Sequence, residues 1–367
     1  MKYRFLSVIV AIVGFLAAGR QGAAQQNFAL DIFERYLEPL AQHIGMPGLS
    51  VAIVQNGVVV RRYNIGYADV DKKVPTRSDT PYPIGGITQA MTGVLHGVCI
   101  DRFTTSVFDI DRDIRLLVPT FPVPQTSVRQ VLSHSTDGRF KYDPRLFALL
   151  TPVIESPQCL NKQFRQAMAA EVLERMVMTR SVPGMDINRP EGEPARALFD
   201  GASVGRYRAV LNELAVPYKI DIRGRASRSE YPSYGLDAAT GMVSTVDDLA
   251  KFEIQLDSDD GHPLSSSTLR QMWSNQAFNL PTTGGGTVRV VMPTGLGWFV
   301  TRDSGLDLVW TFGHIPDAAS ALIVKMPQKK LTLIMLANSG GLANGYDLEN
   351  ANVTSSPFVK VFLRLFI

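Results

Sequence analysis

Two β-branched runs, Leu49–Val54 and Val58–Tyr63, flank Gln55-Asn56-Gly57. Asn-Gly accepts the positive φ values that a tight two-residue turn demands, so this stretch specifies a β-hairpin. Strand patterns then vanish for some two hundred residues and return near the other end. Gly295–Thr301 and Leu306–Phe312 flank Asp303-Ser304-Gly305, and Ala318–Met326 and Leu331–Ala337 flank Pro327–Lys330. The expected fold class is α+β: both ends of the chain share one antiparallel sheet, a mostly helical lobe is inserted between them, and a cleft opens where the two parts meet.

Helical periodicity fills the rest. Asp31–Ile44 carries Ile32, Phe33, Tyr36, Leu37 and Leu40 at helical spacing. Helices are also expected from Thr88 onward, over Val107–Leu117 until Pro119, over Thr126–Ser133, over Leu146–Ile154 and over Lys162–Met178. Thr245 is placed to cap a helix whose first turn holds Asp247 and Asp248. Ser356–Ile367 reads as a closing apolar helix. The sheet part is expected at 25–80 and 290–367 and the helical lobe at 81–289.

Residues 1–24 read as a signal peptide: Lys2 and Arg4 precede an apolar Phe5–Ala18 core, and Gly22-Ala23-Ala24 offers small residues for cleavage. The protein is accordingly expected to be exported, periplasmic or secreted, with no membrane span after cleavage. Loss of Lys2, Arg4 and Arg20 takes 37 basic side chains to 34, against 34 acidic ones. A near-neutral mature chain argues against nucleic acid as a partner, because phosphate binding needs a concentrated basic face. Cys99 and Cys159 are the only cysteines. Export permits a disulfide, but Cys99 lies in an apolar helical stretch and is expected as a buried thiol.

The stretch Pro83-Ile84-Gly85-Gly86-Ile87-Thr88-Gln89 is informative for what it lacks. Its surroundings match a known pattern: Gly45-Met46-Pro47-Gly48 before a strand, Gly66-Tyr67-Ala68-Asp69 with Asp79-Thr80, Val128–Gly138 containing Leu132-Ser133-His134, and Gly241–Ala250 containing Ser244-Thr245. In this order they resemble the serine β-lactamase-like superfamily of class C β-lactamases, DD-peptidases and related esterases. The resemblance implies a Ser-x-x-Lys pair at a helix start, a Tyr-x-Asn segment and a Lys/His-x-Gly strand. At those places this chain has Gly86 and Gln89, Tyr142 with Pro144, and His314 followed by Ile315-Pro316. Glycine supplies no nucleophile, and a neutral amide is no base. Two readings therefore stay open. The first is a pseudoenzyme of this family that binds a peptide, a cell-wall fragment or a protein partner in its cleft. The second is an active esterase, peptidase or β-lactamase-like hydrolase with a displaced nucleophile.

Candidates for that displaced role are few. Ser203 sits in Gly201-Ala202-Ser203-Val204-Gly205, the G-x-S-x-G of a nucleophile elbow. No suitable strand precedes it, so a surface turn is the better expectation. Tyr142 and His314 could activate water. His134 is expected to be structural, and Gly284-Gly285-Gly286 a loop tip. The five histidines show no metal-binding spacing, and neither metal nor cofactor is expected.

Overall fold

The computed structural model describes residues 27–233, 235–258, 263–282 and 285–367. The expected leader lies outside the described residues. One seven-stranded antiparallel sheet organises the rest. Its strands are β1 (Gly48–Gln55), β2 (Val58–Asp69), β3 (Val74–Pro75), β4 (Phe299–Asp303), β5 (Leu306–Ile315), β6 (Ala319–Met326) and β7 (Leu331–Ala337). The order across the sheet is β4-β5-β6-β7-β1-β2-β3. The two chain ends thus meet at the β7–β1 pair, with Val51 opposite Met335. The β1–β2 hairpin closes through Asn56 and Gly57 at φ 51° and 76°, with Gln55 paired to Val58.

Side-chain alternation divides the core between two faces. Leu49, Val51 and Ile53 of β1 join Leu322, Val324, Leu333 and Met335 on one face. That face is covered by helix α1 (27–44) and the closing helix α6 (Pro357–Phe366), whose Phe33 and Phe362 rings meet edge-on at 5.4 Å. In α1 the buried positions are Leu30, Phe33, Leu37 and Ala41, whereas Tyr36 faces solvent. Ala52, Val54, Ala321, Ile323, Ile334 and Leu336 line the other face, beneath helices α2 (Ile87–Arg102) and α5 (Val246–Leu256). Burial on both faces explains why these strands read as nearly continuous apolar runs.

The inserted segment departs from the periodicity in several places. Val107–Leu117 is not a helix: only Ile114–Leu116 makes a single 3₁₀ turn. Asp109 and Asp113 accept the backbone N–H groups of Asp111 and Arg115, a local alternative to helical bonding. Leu146–Ile154 splits into α4 (Pro144–Ala148) and Thr151–Glu155 at the fixed ring of Pro152. The Lys162–Met178 stretch is helical over Phe164–Met168 and widens into a π-turn over Ala169–Glu174. A hairpin of Ala277–Pro281 and Thr287–Val291, with Gly285 and Gly286 in its connection, was not expected.

The cysteine expectation is also corrected. Cys99 and Cys159 form a disulfide, with Cα atoms 5.2 Å apart. It ties the end of α2 to the loop after Thr151–Glu155. Burial alone does not distinguish a thiol from a half-cystine, and only tertiary packing brings these two residues together. Among the described residues no helix is long and apolar enough to cross a membrane.

Candidate functional site

Helix α2 starts against strand β5, and glycines allow the approach. A Cβ on Gly313 would overlap the Ile84 carbonyl, and Gly85 adopts φ 51° with Gly313 3.1 Å from its own Cβ position. Gly86 is the N-cap and has no side chain to satisfy the first N–H groups. One turn on, Gln89 is almost fully buried. Strand β5 continues unbroken through Gly313, His314 and Ile315, paired to Ala321, Ser320 and Ala319. The residues 316–318 then turn the chain into β6.

Tyr142 reaches the same place from the helical lobe. Asp143 behind it caps α4, accepting the N–H groups of Arg145 and Leu146. Pro144 thereby occupies the first helical position, where its missing N–H is harmless. Gly86, Gln89, Tyr142, Pro144, His314, Ile315 and Pro316 all line one cleft of about 270 Å³, together with Thr240, Phe312 and Glu349. Positions spread over 230 residues of sequence are thus adjacent in space.

A chain of hydrogen bonds runs behind the cleft, and its direction is set at one end. The backbone N–H of Asp143 donates to Nδ1 of His134 at 3.1 Å. An N–H can only donate, so the other ring nitrogen, Nε2, carries the imidazole hydrogen. Nε2 lies 2.9 Å from Oε1 of Gln89 and donates to it. The Gln89 amide nitrogen donates in turn to the Tyr142 hydroxyl at 3.0 Å. Burial holds the His134 pKa down to about 3, so the ring is neutral at physiological pH. Burial pushes the Tyr142 phenol above its ordinary value, only partly offset by the Gln89 amide. Such a phenol is a poor base near neutrality. The His134 and Tyr142 rings contact at 4.7 Å, and Tyr142 also packs on Phe312 at 5.2 Å.

Sequence reasoning gave His134 no place in the site. No spacing signal links it to Gln89, 45 positions away; only its left-handed backbone at φ 50° marks it as unusual. Thr88 turns from the cleft, its hydroxyl facing the Met242 N–H at 3.4 Å. Ser203 is not at an elbow. It lies in the first turn of the helix Gly201–Asn212, with its N–H and hydroxyl both held by Asp200. No strand leads into that helix, and Ser203 does not line the cleft. The Nε2 atom of His314 is buried without a partner among the described residues. Among the described residues no group of histidine, cysteine and carboxylate side chains could hold a metal.

The family model described as Beta-lactamase matches residues 33–355, so this chain belongs to the Beta-lactamase family. A β-lactamase of Escherichia coli (strain K12) is 36% identical over 72 residues, which are 20% of this chain and 19% of that protein. The match thus spans about a fifth of that relative's length. The octameric penicillin-binding protein homologue from Pyrococcus abyssi superposes with a TM-score of 0.67 at 21% identity, over 89% of this chain and 77% of that one. The class C β-lactamase from Rhodobacter sphaeroides does so with a TM-score of 0.65 at 14% identity, over 93% and 100%. At such identities the two structures establish the fold: a β-lactamase and transpeptidase-like α+β architecture.

Proposed function

We propose that this chain is an exported, non-catalytic member of the family whose cleft binds a peptide, a cell-wall fragment or a segment of a partner protein without turning it over. The observation that carries this reading is the packing at Gly86. A Cβ there would stand 2.6 Å from the Phe312 carbonyl oxygen and 2.8 Å from the Tyr142 hydroxyl. The place of a nucleophilic side chain is taken by other atoms of the protein. Gln89 is likewise committed at both ends of its amide, to His134 and to Tyr142. Deleting a nucleophile from a catalytic unit commonly lowers kcat by about 10⁶-fold, and here the lysine partner is replaced as well. The apolar walls, with a few polar groups converging on them, remain suited to binding. Export rests on the leader-like segment at 1–24.

The test incubates the mature protein with a fluorescent penicillin and with a fluorophosphonate probe, then resolves it on a denaturing gel. No covalent label is expected. A stoichiometric adduct would overturn the reading, and peptide mapping would then identify the nucleophile of an active hydrolase.

A further inference from the structure

The buried hydrogen-bond chain has a consequence for what the cleft can hold. Each link is directional. Asp143 N–H donates to His134, His134 Nε2–H donates to Gln89, and the Gln89 amide donates to Tyr142. The Tyr142 oxygen is therefore an acceptor inside the protein, and its single hydrogen is left over. Among the described residues the phenol makes no other hydrogen bond. Its oxygen stands at the cleft wall beside Gly86.

The charges around it select further. A second cavity of about 240 Å³ adjoins the first and shares Phe312, His314 and Glu349 with it. Glu349 and Asp347 line these cavities, and among the described residues no lysine or arginine does. Asp347 takes the Asn350 amide at 2.6 Å, while Glu349 has no partner among the described residues. A ligand carboxylate would meet two like charges and no cation.

We infer that Tyr142 is a hydrogen-bond donor to the ligand, and that the ligand presents to it the uncharged carbonyl oxygen of an intact ester or amide, not a carboxylate. This rests on the proposed binding role of the cleft. In it the tyrosine anchors a carbonyl group instead of withdrawing a proton, and Gln89 and His134 are positioning residues that set the orientation of its hydroxyl.

The experiment titrates the ¹⁵N-labelled protein with three probes that share one aromatic body: phenylacetamide, phenylacetate and phenethylamine. The backbone amides of Gly86, Gln89 and Thr240 report occupancy of the cleft. Phenylacetamide is expected to bind more tightly than phenylacetate by roughly fivefold or more, given the unopposed negative charge. Tyr142→Phe should weaken phenylacetamide by about 2- to 10-fold, the range of one net hydrogen bond, and leave phenethylamine unchanged. Gln89→Glu keeps the tyrosine but offers a carboxylate that accepts from both neighbours. It should turn the phenol hydrogen inward and weaken phenylacetamide by a similar factor. Nitrogen shifts of His134 in the unaltered protein should report the Nε2-protonated tautomer, a readout that needs no variant. Tightest binding by phenylacetate, equal binding of all three probes, insensitivity to both substitutions, or the Nδ1-protonated tautomer would overturn the inference and leave the binding role standing. Absence of any shift at the cleft amides with all three probes would overturn both.

Discussion

The hydroxyl of Tyr142 stands 2.8 Å from the point where a β-carbon on Gly86 would lie. Gly86 is thus not a vacancy that one substitution fills, since the tyrosine and the Phe312 carbonyl close on the glycine. Gly86→Ser, alone or with Gln89→Lys, is expected to remain unlabelled by penicillin. Forcing atoms into a packed site should also lower stability by about 1–3 kcal/mol. Gel labelling and urea denaturation check the two parts, and stoichiometric acylation of the double variant would show that the cleft still has room for the serine.

Acid should destabilise the protein through its buried histidines. Burial lowers His134 to about 3 and His96 to about 4, against 6.5 when unfolded. Between those values and 6.5 the unfolded chain binds more protons, so stability rises with pH there. The contribution is complete above about pH 6.5 and is lost as pH falls through the folded values. Each histidine adds at most about 1.4 kcal/mol per pH unit to the slope. His96 donates to the Thr92 carbonyl through Nδ1 at 2.9 Å, and its Nε2 has no partner among the described residues. His96→Leu should therefore flatten the profile of melting temperature between pH 4 and 6. An unchanged slope would remove His96 from the account.

The disulfide gives a third expectation. Cys99 and Cys159 are 60 positions apart, and closing a loop of that size restricts the unfolded chain by about 4 kcal/mol in the chain-entropy description. The paired Cys99→Ser/Cys159→Ser variant should lose about 2–4 kcal/mol in denaturant melts. Reductant should lower the midpoint of the unaltered protein and leave that of the variant where it was. Equal midpoints for the two proteins under oxidising conditions would refute a stabilising bridge.

What was legible in the sequence follows from the range of the forces involved. The β1–β2 turn is local chemistry, since Asn56 and Gly57 carry the left-handed backbone themselves. The pairing of the chain ends was legible because β1, β6 and β7 are covered on both faces and show it as unbroken apolar runs. The failures are of two kinds. Over Val107–Leu117 the periodicity was real but the aspartates competed for the backbone, and the turn they make won. The disulfide and the link between His134 and Gln89 join residues 60 and 45 positions apart, and both arise only after the helices pack. Gly86, Gln89, Tyr142, Pro144 and His314 were singled out through a family resemblance, and the fold gathers them at one cleft. The resemblance points to the positions; the hydrogen-bond chain through His134, Gln89 and Tyr142 is visible only in three dimensions.

Lys325 is the other residue whose role no local pattern announced. It lies fully buried in β6, 2.8 Å from both a Glu253 oxygen and an Asp257 oxygen, with its ammonium 4.2 Å from the Trp273 ring centre. Burial works against its charge, but the two carboxylates outweigh it and raise its pKa. Burial raises the Glu253 carboxyl, and Lys325 opposes that shift. Lys325 bridges the sheet and α5, so removing it strands the Glu253 carboxylate in the core. Lys325→Met should cost about 3–5 kcal/mol, mostly the penalty of an unpaired buried carboxylate. Lys325→Met/Glu253→Leu should recover most of that loss, because apolar replacement of a whole buried pair is often neutral or better. Urea melts of the two single variants and the double variant close the cycle. If the double variant lost as much as the two single ones together, the ion pair would have no coupling, and simple packing around Lys325 would explain the burial instead.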